Sequence, residues 1–322
     1  MEIGTGMDPI VIARDIPMSS SSPCILDIKG NSLDDGPGIR TVIFFKGCPL
    51  SCLWCHNPES KSSPPEISFN SRECIGCLAC EKVCPAGAID HRKRFPVDLK
   101  KCTLCFQCCE VCPSKALSPI GMIINIKDIV EKIEKDVPFY RTSGGGVTFS
   151  GGEPTLFMDF LSSLAQSLRK RKIHLILETC GLFNINTFMK KVYSYIDMIY
   201  MDLKIFDSTI HKKLCGANNE IILDNFAKLQ NCYSKGGIEV LPRIPLIPEM
   251  TAEEGNLQAL ATFLRKCEVK KVALLPYNPL WIDKLEIIGS IPELKNDQRM
   301  RRWMSVDEVD EGKSIFSGFD SF

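Results

Sequence analysis

Nine of the seventeen cysteines fall within residues 74–112, and eight of them repeat a fixed spacing twice. Each half has three cysteines separated by two residues and then a Cys-Pro pair: Cys74, Cys77, Cys80 and Cys84, followed by Cys102, Cys105, Cys108 and Cys112. In the two-cluster ferredoxin arrangement that has this spacing, the fourth cysteine of each half ligates the other cluster. The pattern predicts one [4Fe-4S] cluster on Cys74, Cys77, Cys80 and Cys112, and a second on Cys102, Cys105, Cys108 and Cys84. Structural zinc is the alternative.

The rest of the chain favours thiolate ligands over disulfides. The N-terminus has no basic start followed by an apolar stretch of signal-peptide length, and no apolar run approaches ~20 residues. We therefore expect a cytoplasmic protein, in whose reducing surroundings clustered cysteines more often hold metal. Lysine plus arginine number 39 and aspartate plus glutamate also number 39. This balance gives no electrostatic reason to expect a nucleic acid or an anionic membrane as partner.

A second cysteine motif stands earlier in the chain, where Cys48, Cys52 and Cys55 are separated by three and two residues. Three cysteines can hold three irons of a cubane cluster, whereas a complete cluster of the ferredoxin type has four thiolate ligands. The fourth iron would then be open to a substrate. A zinc site is the alternative, but it needs a fourth ligand, and the adjacent His56 is badly placed to supply it.

Short β-branched and aromatic runs alternate with helical patterns along most of the chain. Strands are predicted at 24–28, 41–45, 147–149, 173–178, 198–203, 238–244 and 271–276. Helices are predicted around 126–133, 157–168, 185–192, 225 and 257–264. This alternation predicts a parallel α/β sheet, and six units counted from 41–45 predict an open, partial (β/α)6 barrel rather than a closed one of eight.

Three regions follow from these patterns. Residues 1–22 are polar and irregular and are expected to form a flexible extension. Residues 23–65 and 119–318 form the partial barrel, and residues 66–118 form the ferredoxin-like insertion. The remaining six cysteines are expected to be small buried hydrophobic residues.

In parallel sheets of this kind, chemistry gathers at the carboxyl ends of the strands, and polar residues stand there in this chain. Paired glycines let the backbone approach a ligand closely, and an arginine within an apolar strand needs an anionic partner. Each residue alone could be structural, but the shared location favours a binding site. The candidates are Gly151, Gly152, Glu153, Glu178, Asp202, Leu203, Lys204 and Arg243.

The three-cysteine loop, with Trp54 directly before its last cysteine, resembles the radical S-adenosylmethionine superfamily. The resemblance implies that the amino and carboxylate groups of S-adenosylmethionine chelate the open iron. It also implies that Trp54, Cys55 and His56 contact the adenine end. The glycine motif would recognise the methionine ammonium, and Lys204 the methionine carboxylate. Asp202 and Glu178 would bind ribose hydroxyls or a monovalent cation.

Four flanking stretches narrow the resemblance to the glycyl-radical-enzyme activating enzymes, relatives of pyruvate formate-lyase activase: 35–41, 57–59, 143–150 and 275–278. The resemblance runs from about residue 25 to 315. Asn278 stands where this family usually has histidine, and Glu249 stands where it commonly has glycine. We keep Asn278 as a cofactor contact because an amide can still form a hydrogen bond, although it cannot be cationic.

The resemblance implies a reaction and its partners. A 5′-deoxyadenosyl radical would abstract hydrogen from a backbone glycine of a partner glycyl radical enzyme. Flavodoxin or ferredoxin would supply electrons through the inserted clusters, so that three [4Fe-4S] clusters are present in all, and a monomer is expected. The basic stretch 91–94 between the ferredoxin halves is expected to be a solvated hairpin or a docking point for an acidic electron donor. The alternatives are a radical enzyme acting on a small molecule and a non-catalytic electron carrier.

Overall fold

The computed structural model describes residues 23–290 and 298–321. The extension expected at residues 1–22 lies outside them. Nine strands form one sheet and two form another. The strands are β1 (Cys24–Ser32), β2 (Arg40–Phe45), β3 (Glu66–Phe69), β4 (Leu117–Ile120), β5 (Met122–Ile123), β6 (Gly146–Gly151), β7 (His174–Thr179), β8 (Met198–Asp202), β9 (Glu239–Leu246), β10 (Lys271–Pro276) and β11 (Asp320–Ser321).

The large sheet has the order β11-β10-β9-β8-β7-β6-β2-β1-β5. Strands β2 and β6 to β10 pair in parallel, each with its neighbour, which confirms the six-stranded partial barrel. At one side, β1 pairs antiparallel with β2 and β5 pairs antiparallel with β1, so the sheet stays open. At the other side, the two-residue strand β11 pairs in parallel with β10.

Eleven α-helices are found in the two described ranges. They are α1 (Ala79–Val83), α2 (Gln107–Glu110), α3 (Ile126–Glu134), α4 (Val137–Ser143), α5 (Met158–Arg169), α6 (Ile185–Lys191), α7 (Ser208–Cys215), α8 (Glu220–Ser234), α9 (Glu254–Lys266), α10 (Trp281–Ile287) and α11 (Val306–Ile315). Helix α3 begins as predicted, because the Asn125 side chain accepts a hydrogen bond from the Asp128 amide at 3.0 Å and caps the first turn. None of the helices in these ranges has the length and apolar character needed to cross a membrane.

The main core lies between the parallel strands and the helices that follow them. Helix α5 buries Leu161, Leu164 and Leu168, which recur at helical spacing and pack on strand residues such as Phe149 and Leu177. This one-sided burial is why the helical period in the sequence predicts the packing face. Polar residues such as Glu178, Asp202 and Lys204 lie at or just after the carboxyl ends of β7 and β8.

The insertion has a small core of its own. Strands β3 and β4 pair antiparallel, and Ile67 and Leu117 pack with Val97 and Phe106. The basic stretch 91–94 is an exposed turn closed by an antiparallel bridge between Ile89 and Val97, as predicted.

Candidate functional site

The loop carrying Cys48, Cys52 and Cys55 follows strand β2 and is held by backbone hydrogen bonds on both sides. The Cys48 amide donates to the Lys61 carbonyl at 3.2 Å. On the other side, the Ser51 amide donates to the Cys215 carbonyl at 2.8 Å. The last turn of α7 is therefore fastened to the cysteine loop, although the two are far apart in sequence.

The loop lies in apolar surroundings. Cys52 and Trp54 are buried and belong to a cluster that also contains Tyr277 and Trp281. The tryptophan is thus buried beside the thiols rather than exposed. Three thiols from one loop in a shell of this kind fit the ligand set of an iron–sulfur cluster, since thiolates are its usual ligands and an apolar shell limits solvent access.

Two further thiols touch this loop. Cys215 packs in the same cluster as Cys52, and this neighbouring thiol lowers the pKa of Cys52 to about 7, while the Cys52 sulfur and burial raise the pKa of Cys215. The neighbouring Cys48 sulfur, together with burial, raises the pKa of Cys180. Burial raises the pKa of Cys55 to about 12. Neither Cys180 nor Cys215 was singled out by the sequence pattern, since both are isolated cysteines.

The paired glycines bring strand β6 against the start of the cysteine loop. A Cβ at Gly152 would lie 2.2 Å from the Gly47 carbonyl oxygen, and a Cβ at Gly151, whose φ is +97°, would lie 2.6 Å from backbone atoms of Phe45. The Glu153 amide donates to the same Gly47 carbonyl at 2.7 Å. The paired glycines therefore let the backbone at the end of β6 approach the backbone at the start of the cysteine loop closely, as the sequence predicts.

The Glu153 carboxylate is fully buried and has protein donors on both oxygens. Its partners are the amide and hydroxyl of Thr155, the hydroxyl of Thr179 at 2.9 Å and the amide of Cys180 at 2.7 Å. This carboxylate links the end of β6 to the end of β7. It therefore positions the segment that carries Cys180.

The charged residues predicted at the strand ends form one network. Arg243 donates to Asp202 at 2.8 Å and to Glu178 at 2.5 Å, because Arg243 and Asp202 are partners in the register of β8 and β9. Lys204 donates to Asp202 at 3.1 Å, and Ser150 donates to Glu178 at 2.5 Å. Arg243 thus has the anionic partners that the sequence predicts, namely the carboxylates of Asp202 and Glu178.

Burial and pairing compete within this network. Burial raises the pKa of Glu178, against the pull of Arg243. Burial alone would also raise the pKa of Asp202. The positive charges of Arg243 and Lys204 outweigh this effect, so the pKa of the Asp202 carboxyl is lowered. Burial alone would lower the pKa of Lys204, yet Asp202 holds it above its usual value. The network therefore keeps an ammonium and a guanidinium charged at the strand ends.

His56 lies at the same edge. Burial lowers the pKa of His56 to about 4, so its ring is neutral near pH 7. Within the described part of the chain, its buried Nε2 has no hydrogen-bond partner. Its ring lies 5.9 Å from the ring of Tyr277, centroid to centroid. An orphaned buried nitrogen at this position can accept or donate a hydrogen bond to a bound molecule.

Two of the predicted residues have more local roles. Leu203 is buried in the main core, and its amide donates to the Arg243 carbonyl at 2.9 Å. Asn278 is half-buried at the end of β10, and its side-chain oxygen accepts from the Leu280 amide at 3.3 Å. Sequence reasoning missed Lys284, which donates to the His56 carbonyl at 2.9 Å and comes from α10, a helix that the pattern did not predict.

The eight cysteines of the insertion show the internal duplication in their backbone. Gly76 and Leu78 flank Cys77 with φ of +69° and +59°, and the equivalent Leu104 and Phe106 flank Cys105 with φ of +54° and +57°. Non-glycine residues adopt this region at an energetic cost of order 1–3 kcal/mol, so its repetition reflects a shared turn. Such turns form concave sets of amides that suit anionic centres, including iron–sulfur sites.

The eight cysteines of the insertion also differ in their surroundings and exposure. Cys84, Cys102, Cys105 and Cys108 line one cavity together. Cys74 and Cys77 are exposed, whereas Cys80 and Cys112 are half-buried. All seventeen cysteines lie in the described residues as free thiols. Of the six expected to be buried, Cys24, Cys109, Cys180 and Cys215 are, but Cys232 and Cys267 are half-buried near the ends of surface helices, so the expectation was wrong for those two.

Comparisons with known proteins agree with this arrangement. The family model described as the radical SAM superfamily matches residues 100–260, and that of a 4Fe-4S dicluster domain matches residues 66–130. The chain is 37% identical, over 85% of its own length and 89% of the relative's, to the indoleacetate decarboxylase activating enzyme of Tractidigestivibacter scatoligenes. It is also 37% identical, over 92% and 96%, to the trans-4-hydroxy-L-proline dehydratase activating enzyme of Clostridioides difficile.

A solved structure shares the fold. The radical SAM methyltransferase from Sphaerobacter thermophilus superposes with a TM-score of 0.53, covering 96% of this chain and 78% of that one at 13% identity.

Proposed function

The chain belongs to the radical S-adenosylmethionine superfamily and, within it, to the activating enzymes of glycyl radical enzymes, and from that premise we propose how its residues share the reaction. It activates a partner glycyl radical enzyme by removing hydrogen from one of the partner's backbone glycines. When bound, the [4Fe-4S] cluster supplies the electron that cleaves S-adenosylmethionine into methionine and the 5′-deoxyadenosyl radical.

We assign Cys48, Cys52 and Cys55 as the ligands of this cluster. The observation that carries the proposal is the convergence of their loop with the ends of strands β6, β7, β8 and β9 at one edge of the barrel. The loop is fastened there by the hydrogen bonds from the Glu153 amide to the Gly47 carbonyl at 2.7 Å and from the Ser51 amide to the Cys215 carbonyl at 2.8 Å. No fourth cysteine belongs to the loop itself, which leaves one position for the substrate.

S-adenosylmethionine is proposed to bind along the same edge. Lys204, held charged by Asp202, attracts the methionine carboxylate, and Glu178 and Asp202 accept ribose hydroxyls or hold a monovalent cation. The backbone of Gly151 and Gly152 binds the methionine ammonium through its carbonyl groups. Arg243 holds both carboxylates in place and favours the ionised form of each.

The adenine end is proposed to lie near Trp54, Cys55 and His56, where the unpartnered Nε2 of His56 offers a hydrogen bond. Asn278 contributes its amide. Glu153, whose two oxygens already have protein donors, acts by positioning the glycine motif and Cys180.

The insertion is proposed to hold two more [4Fe-4S] clusters with crossed ligation. The cavity lined by Cys84, Cys102, Cys105 and Cys108 supports the second set, because it places Cys84 from the first half among cysteines of the second. The other set is Cys74, Cys77, Cys80 and Cys112. Since Cys74 and Cys77 are exposed, we propose that this cluster receives the incoming electron.

We further propose flavodoxin or ferredoxin as the electron donor and a monomeric enzyme. Exposed Lys93, Lys100 and Lys101 offer positive charge to an acidic donor. We also propose residues 23–65 and 119–318 as the barrel and 66–118 as the insertion, which is supported by the separate small core of the insertion.

The experiment uses anaerobically reconstituted protein with S-adenosylmethionine, dithionite and a candidate partner. The decarboxylase and the dehydratase named for the two relatives are the first partners to try, since identity to both relatives is 37%. A doublet electron-spin signal on the partner, together with 5′-deoxyadenosine, supports the proposal. A modified small metabolite with no signal on any partner would favour a small-molecule enzyme instead, and no 5′-deoxyadenosine at all would contradict the proposal.

A further inference from the structure

Helix α10 packs its apolar face into the shell around the cysteine loop. Trp281 and Ile282 are buried, and Leu285, one turn further along the helix, is half-buried beside them. All three pack in the cluster that contains Cys52 and Trp54. Because protein interiors are close-packed, a shift of this helix would disturb the residues around the thiols.

The same helix also holds the segment that leaves the cysteine loop. The Lys284 ammonium donates to the His56 carbonyl at 2.9 Å and to the side-chain oxygen of Asn57 at 3.0 Å. It also lies 3.3 Å from a carboxylate oxygen of Glu59. One cation thus binds three acceptors within four consecutive residues, and the first of these residues directly follows Cys55. The exit of the cysteine loop is therefore fixed to α10.

Another face of α10 meets the ferredoxin-like insertion. The Glu286 carboxylate accepts a hydrogen bond from Arg94 at 2.5 Å, and the Asp283 carboxylate accepts one from Arg72 at 3.5 Å. Both pairs are exposed, and exposed ion pairs add little to stability. They nevertheless bring two separate points of the insertion to one short helix of the barrel.

Gly289, just beyond the end of α10, packs directly on the insertion. Its φ is +74°, and a Cβ there would lie 2.8 Å from ring atoms of Phe95. Phe95 in turn meets Phe69 of strand β3 edge-on, with ring centroids 6.5 Å apart, and both pack against the small core of the insertion. A side chain at position 289 would therefore push the barrel and the insertion apart.

We propose that α10 and Gly289 are a positioning element, which holds the insertion at a fixed distance from the cysteine loop so that electrons pass from the inserted clusters to the cluster at the loop. The inference rests on the proposed function, which assigns clusters to both places. Each cleavage of S-adenosylmethionine consumes one electron, and a reduced flavodoxin or ferredoxin supplies it. Because electron transfer between two centres slows steeply as they move apart, the helix that contacts both parts of the protein controls its rate.

The test compares G289A with G236A in the anaerobically reconstituted holoenzyme. Each glycine is the second residue after a helix, α10 in one case and α8 in the other, and their φ angles are +74° and +89°. An alanine therefore has similar backbone strain at both positions. Among the described residues, nothing lies within 4 Å of a Cβ at Gly236, so only G289A also meets the Phe95 ring.

We expect amide hydrogen exchange across 93–97 to be faster in G289A than in the wild type and unchanged in G236A. The rate of 5′-deoxyadenosine formation with reduced flavodoxin or ferredoxin, whichever supports the wild-type reaction, should fall about tenfold in G289A, since a misplacement of about 1 Å can cost a positioned reaction that much or more. Dithionite is a small reductant that can reach the loop cluster without the insertion, so the rate with dithionite should stay near that of the wild type. The ratio of the two rates thus separates positioning from damage to the loop.

Three results would overturn the inference. The first is a ratio of the two rates in G289A that equals the ratio in G236A. The second is an equal fall of both rates in G289A, with or without loss of iron, which would show that α10 serves the cysteine loop alone. The third needs no variant: in the fully reduced wild-type enzyme, the electron-spin signal that changes on adding S-adenosylmethionine shows no magnetic interaction with the other clusters. The iron content of C48A tests the ligand set separately, so the two proposals can fail independently.

Discussion

The ammonium of Lys46, directly after the first strand of the barrel, pairs with the carboxylate of Glu66, the first residue of the insertion. Lys46 is fully buried and also donates to the carbonyls of Glu59 and Ser62, both at 2.8 Å. One cation thus binds three acceptors on the segment that leads from the cysteine loop into the insertion. It couples the position of the insertion to the end of strand β2.

Replacing this lysine should loosen that coupling. In K46M, the carbonyls of Glu59 and Ser62 lose their donor, and buried acceptors without partners cost about 1–3 kcal/mol each. We expect the free energy of unfolding to fall by about 3 kcal/mol, measured by anaerobic denaturation, and amide exchange to speed up across 58–66. K271M removes a cation from the exposed pair between Lys271 and Glu239 and should change stability by less than about 1 kcal/mol. An equal fall in the free energy of unfolding of K46M and K271M would contradict the role assigned to Lys46.

Gly152 should tolerate no side chain. In G152A the added Cβ would meet the Gly47 carbonyl oxygen at 2.2 Å, so the cysteine loop must move. We expect a loss of roughly four irons per chain, the content of one cluster, and at least a tenfold drop in 5′-deoxyadenosine formation. G255A is the control, because nothing lies within 4 Å of a Cβ at Gly255 on helix α9. Helix propensity predicts that G255A is stabilised by up to about 1 kcal/mol, and a harmless G152A would refute the close approach.

Removal of Arg243 should destabilise the protein strongly. R243M leaves the buried carboxylate of Glu178 and the half-buried carboxylate of Asp202 without their main counter-charge, and breaking a buried pair costs about 3–5 kcal/mol. R72M breaks the exposed pair between Arg72 and Asp283, which is 3.5 Å long, and should cost less than about 1 kcal/mol. The stabilities of R243M and R72M are compared by thermal unfolding under nitrogen. A melting point of R243M equal to that of R72M would show that the network is not stabilising.

Crossed ligation predicts the iron content of one variant of the insertion. C112A should lose one cluster, so that iron falls from about twelve to about eight per chain. 5′-Deoxyadenosine formation with dithionite should continue, whereas formation with a protein electron donor should fall. C109A is the matched control, since Cys109 is adjacent to Cys108 in sequence and is not assigned as a ligand. Iron near twelve in C112A would contradict the assignment.

His56 should make stability depend on pH between about 4 and 6.5. Its pKa is lowered to about 4 in the folded protein, while the unfolded chain takes up the proton near pH 6.5. The unfolded state therefore binds more protons in this window, and stability falls as pH drops, by about 1–2 kcal/mol between pH 7 and pH 5 from this residue. H56Q should lose that component in denaturant titrations of the metal-free protein, whereas H91Q, on the exposed hairpin, should keep it. Equal pH dependence in the wild type and H56Q would argue against a buried neutral ring.

The local patterns of the sequence determined most of the architecture. The helical period in α5, the apolar strands β6 to β9 and the cap at Asn125 depend on residues close together in the chain, so their interpretation needed no tertiary information. The same holds for the cysteine motifs, whose spacing alone limits which ligands can reach one cluster. The polar residues at the strand ends were predictable because parallel strands bring their carboxyl ends to one edge.

Tertiary structure alone decided which of these residues touch. The short strands β5 and β11 have two residues each, too few for any periodicity, and they exist because a neighbouring strand offers its edge. Glu153 turned out to bond to Thr179 and Cys180, and Cys215 to lie on Cys52, across long stretches of chain. Such contacts depend on where a helix ends against a distant loop, and the order of residues along the chain does not encode that distance locally. The cysteine spacing therefore predicts which thiols could share a cluster, while only the fold places Cys180 and Cys215 beside the cysteine loop.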